Sequence, residues 1–245
     1  MSITKNPQRT DNITQEEAGL RRCVIVCGGP IGDYAQVSTA LRDDDYFIFC
    51  DCGLKHLQKL QSHVAANQTG GQLLPDLIVG DFDSYENPVE RGTLIETMVL
   101  PCEKDETDSA FAAAEAMRRG FRDVLIIGAV GGRMDHTLVN LTLLLKLSRA
   151  HCHAVLLDDY SEMEIITKEP AYIDGSFPYF SLLNLFDSAH DITITGAKYN
   201  VSGAEIKVTD QYATSNEVAP GERACVTLGE GELLLIKVRR DMSNA

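Results

Sequence analysis

"PDLIVGDFDS", Pro75 to Ser84, carries the apolar run Leu77-Ile78-Val79 and then sets two carboxylates, Asp81 and Asp83, on either side of a single Phe. A run that is apolar without alternation suits a strand covered on both faces, and such strands belong to parallel sheets lying under helices. Paired like charges contradict burial unless the strand runs out at an edge where something else meets them. Residues two apart on an extended segment face the same way, so Asp81 and Asp83 are expected to point together and to need a cation or a raised pKa.

The same texture extends in both directions. "RCVIVCGG", "YFIFCDCG", "TMVLP", "DVLIIGAVGG" and "HAVLLDD" read as strands. "AQVSTALRD", "LKHLQKLQSHVAAN", a segment from about Thr107 to Arg119 and another from Asp135 to Arg149 read as helices. The alternation predicts a mostly parallel, Rossmann-like α/β sheet over residues 21–158. After Asp158 the runs become short and often alternating: "EMEIITKEPAYI", "YFSLLNLF", "DITITGAKY", "AEIKVTD", "RACVTL" and "ELLLIKV", parted by Gly, Pro, Asn and Asp. They predict an antiparallel β-sandwich over residues 159–245. Residues 1–20 are polar, lack the apolar stretch of a secretory signal, and are read as a disordered leader.

With 245 residues and 44% hydrophobic content the chain can build a substantial core. Its formal net charge of −14 argues against non-specific nucleic-acid binding and against anionic membranes, since both need a cationic surface. Any phosphate it handles then calls for an intervening metal. Seven Cys form no CxxC pair. Buried structural thiols in a reducing cytoplasm fit that pattern, and "CDC" at Cys50–Cys52 lacks a second ligand pair for zinc. Nothing approaches the apolar length of about 18 residues that a membrane span needs.

In an open parallel sheet, ligands sit beyond the carboxyl ends of the strands. Four strands here reach that edge with polar groups: Asp51 after "FIFC"; Asp81 and Asp83; the loop "PCEKDETD" with Asp105, Glu106, Thr107 and Asp108; and Arg133, Asp135 and His136 after "LIIGAVGG". Each group also has a structural explanation: Asp105 or Thr107 as an N-cap, Asp108 favoured by a helix dipole, Asp135 as a second cap. Their convergence on one rim points to a Mg²⁺–polyphosphate site, because Mg²⁺ takes one or two carboxylates plus phosphate oxygens. Phosphoryl-type transfer is the matching chemistry. No GxxxxGK[ST] loop occurs, "CGGPIG" and "GAVGGR" are not GxGxxG, and no GxSxG elbow is present.

Together, "CDCG", "PDLIVGDFDS", "KDETDSAFA", "GAVGGRMDHTLVN" and "YATSN" resemble the thiamine pyrophosphokinase family in order and spacing. The resemblance implies a nucleotide-binding α/β domain followed by a thiamine-binding β-sandwich, with ATP as co-substrate and Mg²⁺ as cofactor. It also implies a homodimer with the thiamine site at the subunit interface, and transfer of the β,γ-diphosphate of ATP to the thiamine hydroxyl with release of AMP. Carried over by position, Asp81, Asp83 and Asp108 match the metal carboxylates, and Asp51 the acidic residue ending the second strand. Lys104, Thr107, Arg133 and Asp135 match nucleotide contacts, with the two cations available for developing phosphate charge. Ser215 and Asn216 of "TSN" match the part that takes the aminopyrimidine, offering donors and acceptors. Family members often carry Trp in the segment matching "TGAKYN"; this chain has no Trp, and Tyr199 stands there. Two other readings keep parts of this pattern: another Mg²⁺-dependent phosphotransferase or phosphohydrolase on the same rim, or a thiamine or nucleotide sensor without turnover.

Overall fold

The computed structural model describes residues 2–4, 18–19, 21–67, 73–82, 95–103, 105–185 and 187–239. The chain divides between Asp159 and Tyr160 into two units. In the first, strands β1 (Ser2–Thr4), β2 (Cys23–Val26), β3 (Tyr46–Cys50), β4 (Leu77–Gly80), β5 (Glu96–Val99), β6 (Asp123–Ile127) and β7 (His153–Leu157) form the sheet order β1-β5-β4-β3-β2-β6-β7. Every pairing from β5 to β7 is parallel. Helices α1 (Tyr34–Thr39), α2 (Leu57–Asn67), α3 (Asp108–Arg119) and α4 (Met134–Arg149) provide crossovers, and a 3₁₀ helix, Asp51–His56, precedes α2.

All residues of β2, β3 and β4 are buried, as strands covered on both faces require. Alternate positions Val24, Val26, Phe47, Phe49, Leu125 and Ile127 pack with Tyr34 and Val37 of α1 and with Leu60 and Val64 of α2. Helix α3 packs on β2, β3 and β4, and its fully buried Ala112, Ala113 and Ala116 allow a close approach. From β2 the chain moves outward through β3, β4 and β5, then returns to place β6 on the other side of β2. The carboxyl ends of β2 and β6 therefore form a topological switch point, where a crevice opens because the two crossovers leave in opposite directions.

One expectation fails here. Ser2–Thr4, read from sequence as part of a structureless leader, pairs antiparallel with β5 in the register Ser2↔Val99. An edge strand exposes a row of unpaired N–H and C=O groups that any extended segment can complete, and β5 is such an edge. Residues 5–17 and 20 lie outside the described residues.

In the second unit, β8 (Ser161–Ile166), β14 (Leu233–Val238) and β10 (Tyr179–Leu183) pair antiparallel in that order. A four-stranded antiparallel sheet has the order β12 (Val201–Ile206), β11 (Ala189–Thr195), β13 (Ala224–Thr227), β9 (Ala171–Ile173). Phe180, Leu182, Leu233 and Leu235 of the first sheet pack with Ile192, Ile194, Ala224 and Val226 of the second, the face-to-face arrangement of a sandwich. No helix among the described residues is long and apolar enough to cross a membrane.

Candidate active site

A cleft of about 650 Å³ opens at the switch point of the first unit. Its walls are the turn after β2 (Cys27–Pro30), the start of the 3₁₀ helix with Asp51 and Lys55, Asp81 after β4, the N-terminus of α3, and the loop after β6 up to Arg133 and His136. Carboxylate oxygens of Asp51, Asp81 and Asp108 lie within 4.8 Å of one another. Asp51 is buried and accepts from the Cys52 amide, whereas Asp81 and Asp108 are half-buried. A Cβ on residue 80 would sit 2.5 Å from the Asp51 Cβ, so Gly80 is what lets β4 deliver Asp81 beside Asp51.

Asp51 thus joins Asp81 and Asp108 in the acidic group, whereas the family resemblance assigns the metal to Asp81, Asp83 and Asp108 and sets Asp51 apart as the acidic residue ending the second strand. The same-face argument for Asp81 and Asp83 needs correction. Phe82 is left-handed at φ 57°, so the chain turns at the strand end and does not continue extended. Positive φ is costly for a non-glycine residue and concentrates at ligand-binding turns. Asp83 and Lys104 lie outside the described residues.

The donor set fits a hard divalent cation: three carboxylates and no imidazole within the group. Cys50 and Cys52 also line the cleft. The Cys50 thiol is pushed well up by its hydrogen bond with Cys27 and by burial, and Cys52 is raised to about 11 by burial and then by Asp51. Both shifts favour the protonated thiol, the weaker metal ligand.

Opposite the acidic side, two loops meet through backbone. The Gly29 amide donates to the Gly128 carbonyl at 2.6 Å, and the Cys27 amide to that of Ile127 at 2.9 Å. Gly128 has φ +65°, and a Cβ there would lie 2.5 Å from the Cys27 carbonyl oxygen, so only glycine fits. Thr107 caps α3, accepting from the Ala110 amide at 3.3 Å, and lines the cleft as well. Its hydroxyl lies 2.9 Å from that of Ser109, which donates to Asn140 Oδ1 at 2.9 Å; Asn140 Nδ2 donates to the Ala129 carbonyl at 2.9 Å. These hydrogen bonds tie the start of α3 and the second turn of α4 to the loop after β6.

At α4 the cap position is Arg133, without a side-chain cap bond, and Asp135 lies in the first turn and not at the cap. Arg133 Nε donates to Asp135 Oδ1 at 3.2 Å, and the two side chains are 71% and 62% exposed. Arg133's hydrogen bond holds the Asp135 carboxyl below its ordinary value. Arg133 therefore reaches the cleft rim with a carboxylate partner beside it. Lys55 is a second cation lining the cleft, donating to the Gly28 carbonyl. Sequence reading missed Lys55, Ser109 and Asn140. Of these, only Asn140, a polar residue inside "HTLVNLTLLL", carried a visible signal.

In the second unit, Tyr199 and the "TSN" segment come together. Asn216 is 4% exposed; its Oδ1 accepts from the amides of Tyr199 at 3.0 Å and Glu217 at 2.9 Å, and its Nδ2 donates to the Tyr199 carbonyl at 2.8 Å. The Asn216 amide thereby grips the backbone of Tyr199, whose ring is 60% exposed with the Lys198 ammonium 5.5 Å from its centroid. Ser215 is left-handed at φ 55°, with its amide bonded to the Ser181 hydroxyl at 3.0 Å.

Comparison with known proteins matches these two regions separately. The family description "Thiamin pyrophosphokinase, catalytic domain" matches residues 37–156, and "Thiamin pyrophosphokinase, vitamin B1 binding domain" matches residues 162–233. Thiamine pyrophosphokinase of Bacillus subtilis is 28% identical over 171 residues, covering 67% of this chain and 79% of that protein. Thiamin pyrophosphokinase 1 of Caenorhabditis elegans is 19% identical over 217 residues, 84% and 85% of the two chains. The crystal structure of the Bacillus subtilis protein superposes with a TM-score of 0.74 at 24% identity, covering 89% of this chain and 98% of that one. The yeast thiamin pyrophosphokinase structure gives 0.70 at 16% identity, with 97% of each chain covered. These likenesses establish the fold, and the matches to both domains establish the kinship: this chain belongs to the thiamin pyrophosphokinase family.

Proposed function

We propose that this chain is an ATP:thiamine diphosphotransferase whose chemistry occurs in the cleft of the first unit. The observation that carries the proposal is the meeting of Asp51, Asp81 and Asp108 at the switch point of a parallel sheet, in a chain matched by both family domains. The thiamine hydroxyl oxygen forms a bond to the β-phosphorus of ATP, the bond from that phosphorus to the α-phosphate oxygen breaks, AMP leaves, and the hydroxyl proton is lost. Asp51, Asp81 and Asp108, with Asp83 beyond the described residues, hold Mg²⁺, which supplies charge neutralisation on the polyphosphate when bound.

The chain's own cations serve the same end. Arg133 offers a planar fork and Lys55 a point charge to phosphate oxygens, with Lys104 assigned the same role from sequence. Asp135 orients Arg133. Thr107 presents its hydroxyl and the start of α3, where backbone amides favour anions. In the second unit Tyr199 offers its ring face to the thiamine pyrimidine, Asn216 holds that ring's backbone, and Ser215 adds a hydroxyl. The protein acts as a cytoplasmic homodimer with the thiamine site at the subunit interface, and seven free cysteines fit a reducing compartment.

The test is AMP release from ATP and Mg²⁺, with and without thiamine, with the organic product identified by mass. Thiamine-dependent AMP with thiamine diphosphate is the expected result. ADP or free phosphate would reassign the rim to another phosphotransfer reaction, and ligand binding without turnover would make the chain a sensor.

A further inference from the structure

The Gly28–Pro30 wall of the cleft is held from behind by groups that do not line it. His56, ending the 3₁₀ helix that starts at Asp51, is buried; its Nε2 lies 2.8 Å from the Gly29 carbonyl oxygen and its Nδ1 2.6 Å from the Tyr34 hydroxyl. A carbonyl oxygen can only accept, so Nε2 donates to Gly29; in the neutral imidazole Nδ1 then accepts from the Tyr34 hydroxyl. Burial favours that neutral form by lowering the imidazole pKa. Two residues on, the same turn is tied to Asp159, whose carboxylate accepts from the amides of Gly32 at 2.8 Å and Asp33 at 3.0 Å. On its inner side the Gly29 amide is bonded to Gly128.

Adjacent glycines are the most pliable wall a cleft can have, and fixing one residue's backbone costs about 1–2 kcal/mol. If the turn were free, a ligand lying against it would have to order it on binding; a turn already ordered by the protein spares the ligand that cost. Resting on the nucleotide reading above, we infer that His56, oriented by Tyr34, is a positioning residue that sets the Gly28–Pro30 backbone against the nucleotide polyphosphate without touching it. Asp159 anchors the far end of the same turn, and Lys55 bonds its Gly28 carbonyl while also facing the cleft.

A purely structural histidine and a positioning one differ in which constant responds. The experiment measures steady-state AMP release for the wild type, His56→Leu, His56→Gln and Tyr34→Phe, with ATP and thiamine varied separately and thermal unfolding recorded alongside. Glutamine can place an N–H where the imidazole Nε2 stands; leucine cannot. The inference expects His56→Leu to raise KM for ATP about tenfold with KM for thiamine unchanged, and His56→Gln to recover most of the loss. Tyr34→Phe, which keeps the ring and removes only the orienting hydroxyl, should raise KM for ATP by a smaller factor, and it carries the test alone if His56→Leu does not fold. An unchanged KM for ATP in folded His56→Leu, or in Tyr34→Phe where the leucine variant is lost, would overturn the inference while leaving the functional reading intact. A glutamine variant no better than leucine would do the same. A wild type that forms no AMP from ATP and thiamine would overturn the functional reading and this inference with it.

Discussion

The cleft of the first unit and the Tyr199 loop of the second use buried polar groups in opposite ways. Asp51, Asp81 and Asp108 bring like charges to within 4.8 Å of one another, an arrangement whose repulsion a cation relieves. Asn216 instead closes hydrogen bonds on the backbone of Tyr199 and Glu217, so that what the loop exposes is an aromatic ring. Convergent repulsion marks a place built for chemistry; a satisfied amide beneath an exposed ring marks one built to present a surface. Substitutions should therefore separate turnover from stability in the cleft, and in the loop couple stability to recognition at the gripping Asn216 but not at the exposed Tyr199.

The largest effect is expected from Asp81→Asn or Asp108→Asn. Either removes a charge from the group, and turnover should fall by about a hundredfold or more, since metal-assisted charge stabilisation contributes several kcal/mol. The melting temperature should hold or rise, because the substitution relieves repulsion and removes no core packing. Kinetics and thermal unfolding on the same samples check both halves; a large loss of stability would make these carboxylates structural.

Asn216→Ala should do the reverse. It strips three part-buried hydrogen bonds from the backbone of Tyr199 and Glu217, and a loss of about 1–3 kcal/mol by denaturant unfolding is expected. Thiamine binding should weaken with it and ATP binding should not. Tyr199→Ala sharpens the point: thiamine affinity should fall about tenfold with stability unchanged, because the ring is exposed. Equal losses for both ligands would remove the assignment of this loop to thiamine.

Much of this was legible in the sequence, and the limits have physical causes. Unbroken apolar runs and the acids ending them disclose β3, β4 and their edge, because burial on both faces leaves no other pattern. The left-handed Phe82 was not legible: nothing about Phe favours positive φ, and tertiary context imposes it. Lys55 and His56 fall in "LKHLQKLQSHVAAN", whose helical pattern assigns them no role, yet a 3₁₀ turn starting at Asp51 brings them to the Gly28–Gly29 turn. Asn140 sat in plain view within an apolar run, but its partners, Ser109 on another helix and Ala129 in the preceding loop, lie outside that run. Ser2–Thr4 finds its partner strand almost a hundred residues away, beyond the reach of local pattern.

A smaller effect tests the buried imidazole behind the cleft. His56 has its pKa lowered by burial, opposed by its Gly29 bond, with Lys55 and Lys59 lowering it further. Above the unfolded value of about 6.5 both states are neutral and the contribution to stability is complete. As pH falls below that value the unfolded chain takes up a proton that the folded chain resists, and stability is lost until the folded pKa is passed. The denaturation midpoint should thus drop more between pH 7 and 5.5 in the wild type than in His56→Gln, which has no proton to gain. The smallest effect should come from Asp135→Asn, whose ion pair with Arg133 is solvent-exposed: the melting temperature should not move.

The central claim is that Asp51, Asp81 and Asp108 together hold the divalent cation of the nucleotide. Mn²⁺ binding followed by electron paramagnetic resonance, in the presence of ATP, tests it most directly in the wild type and the three single Asn variants. The account predicts one class of protein-bound Mn²⁺ in the wild type, weakened about tenfold or more in every variant. Undiminished Mn²⁺ binding in the three variants would contradict it.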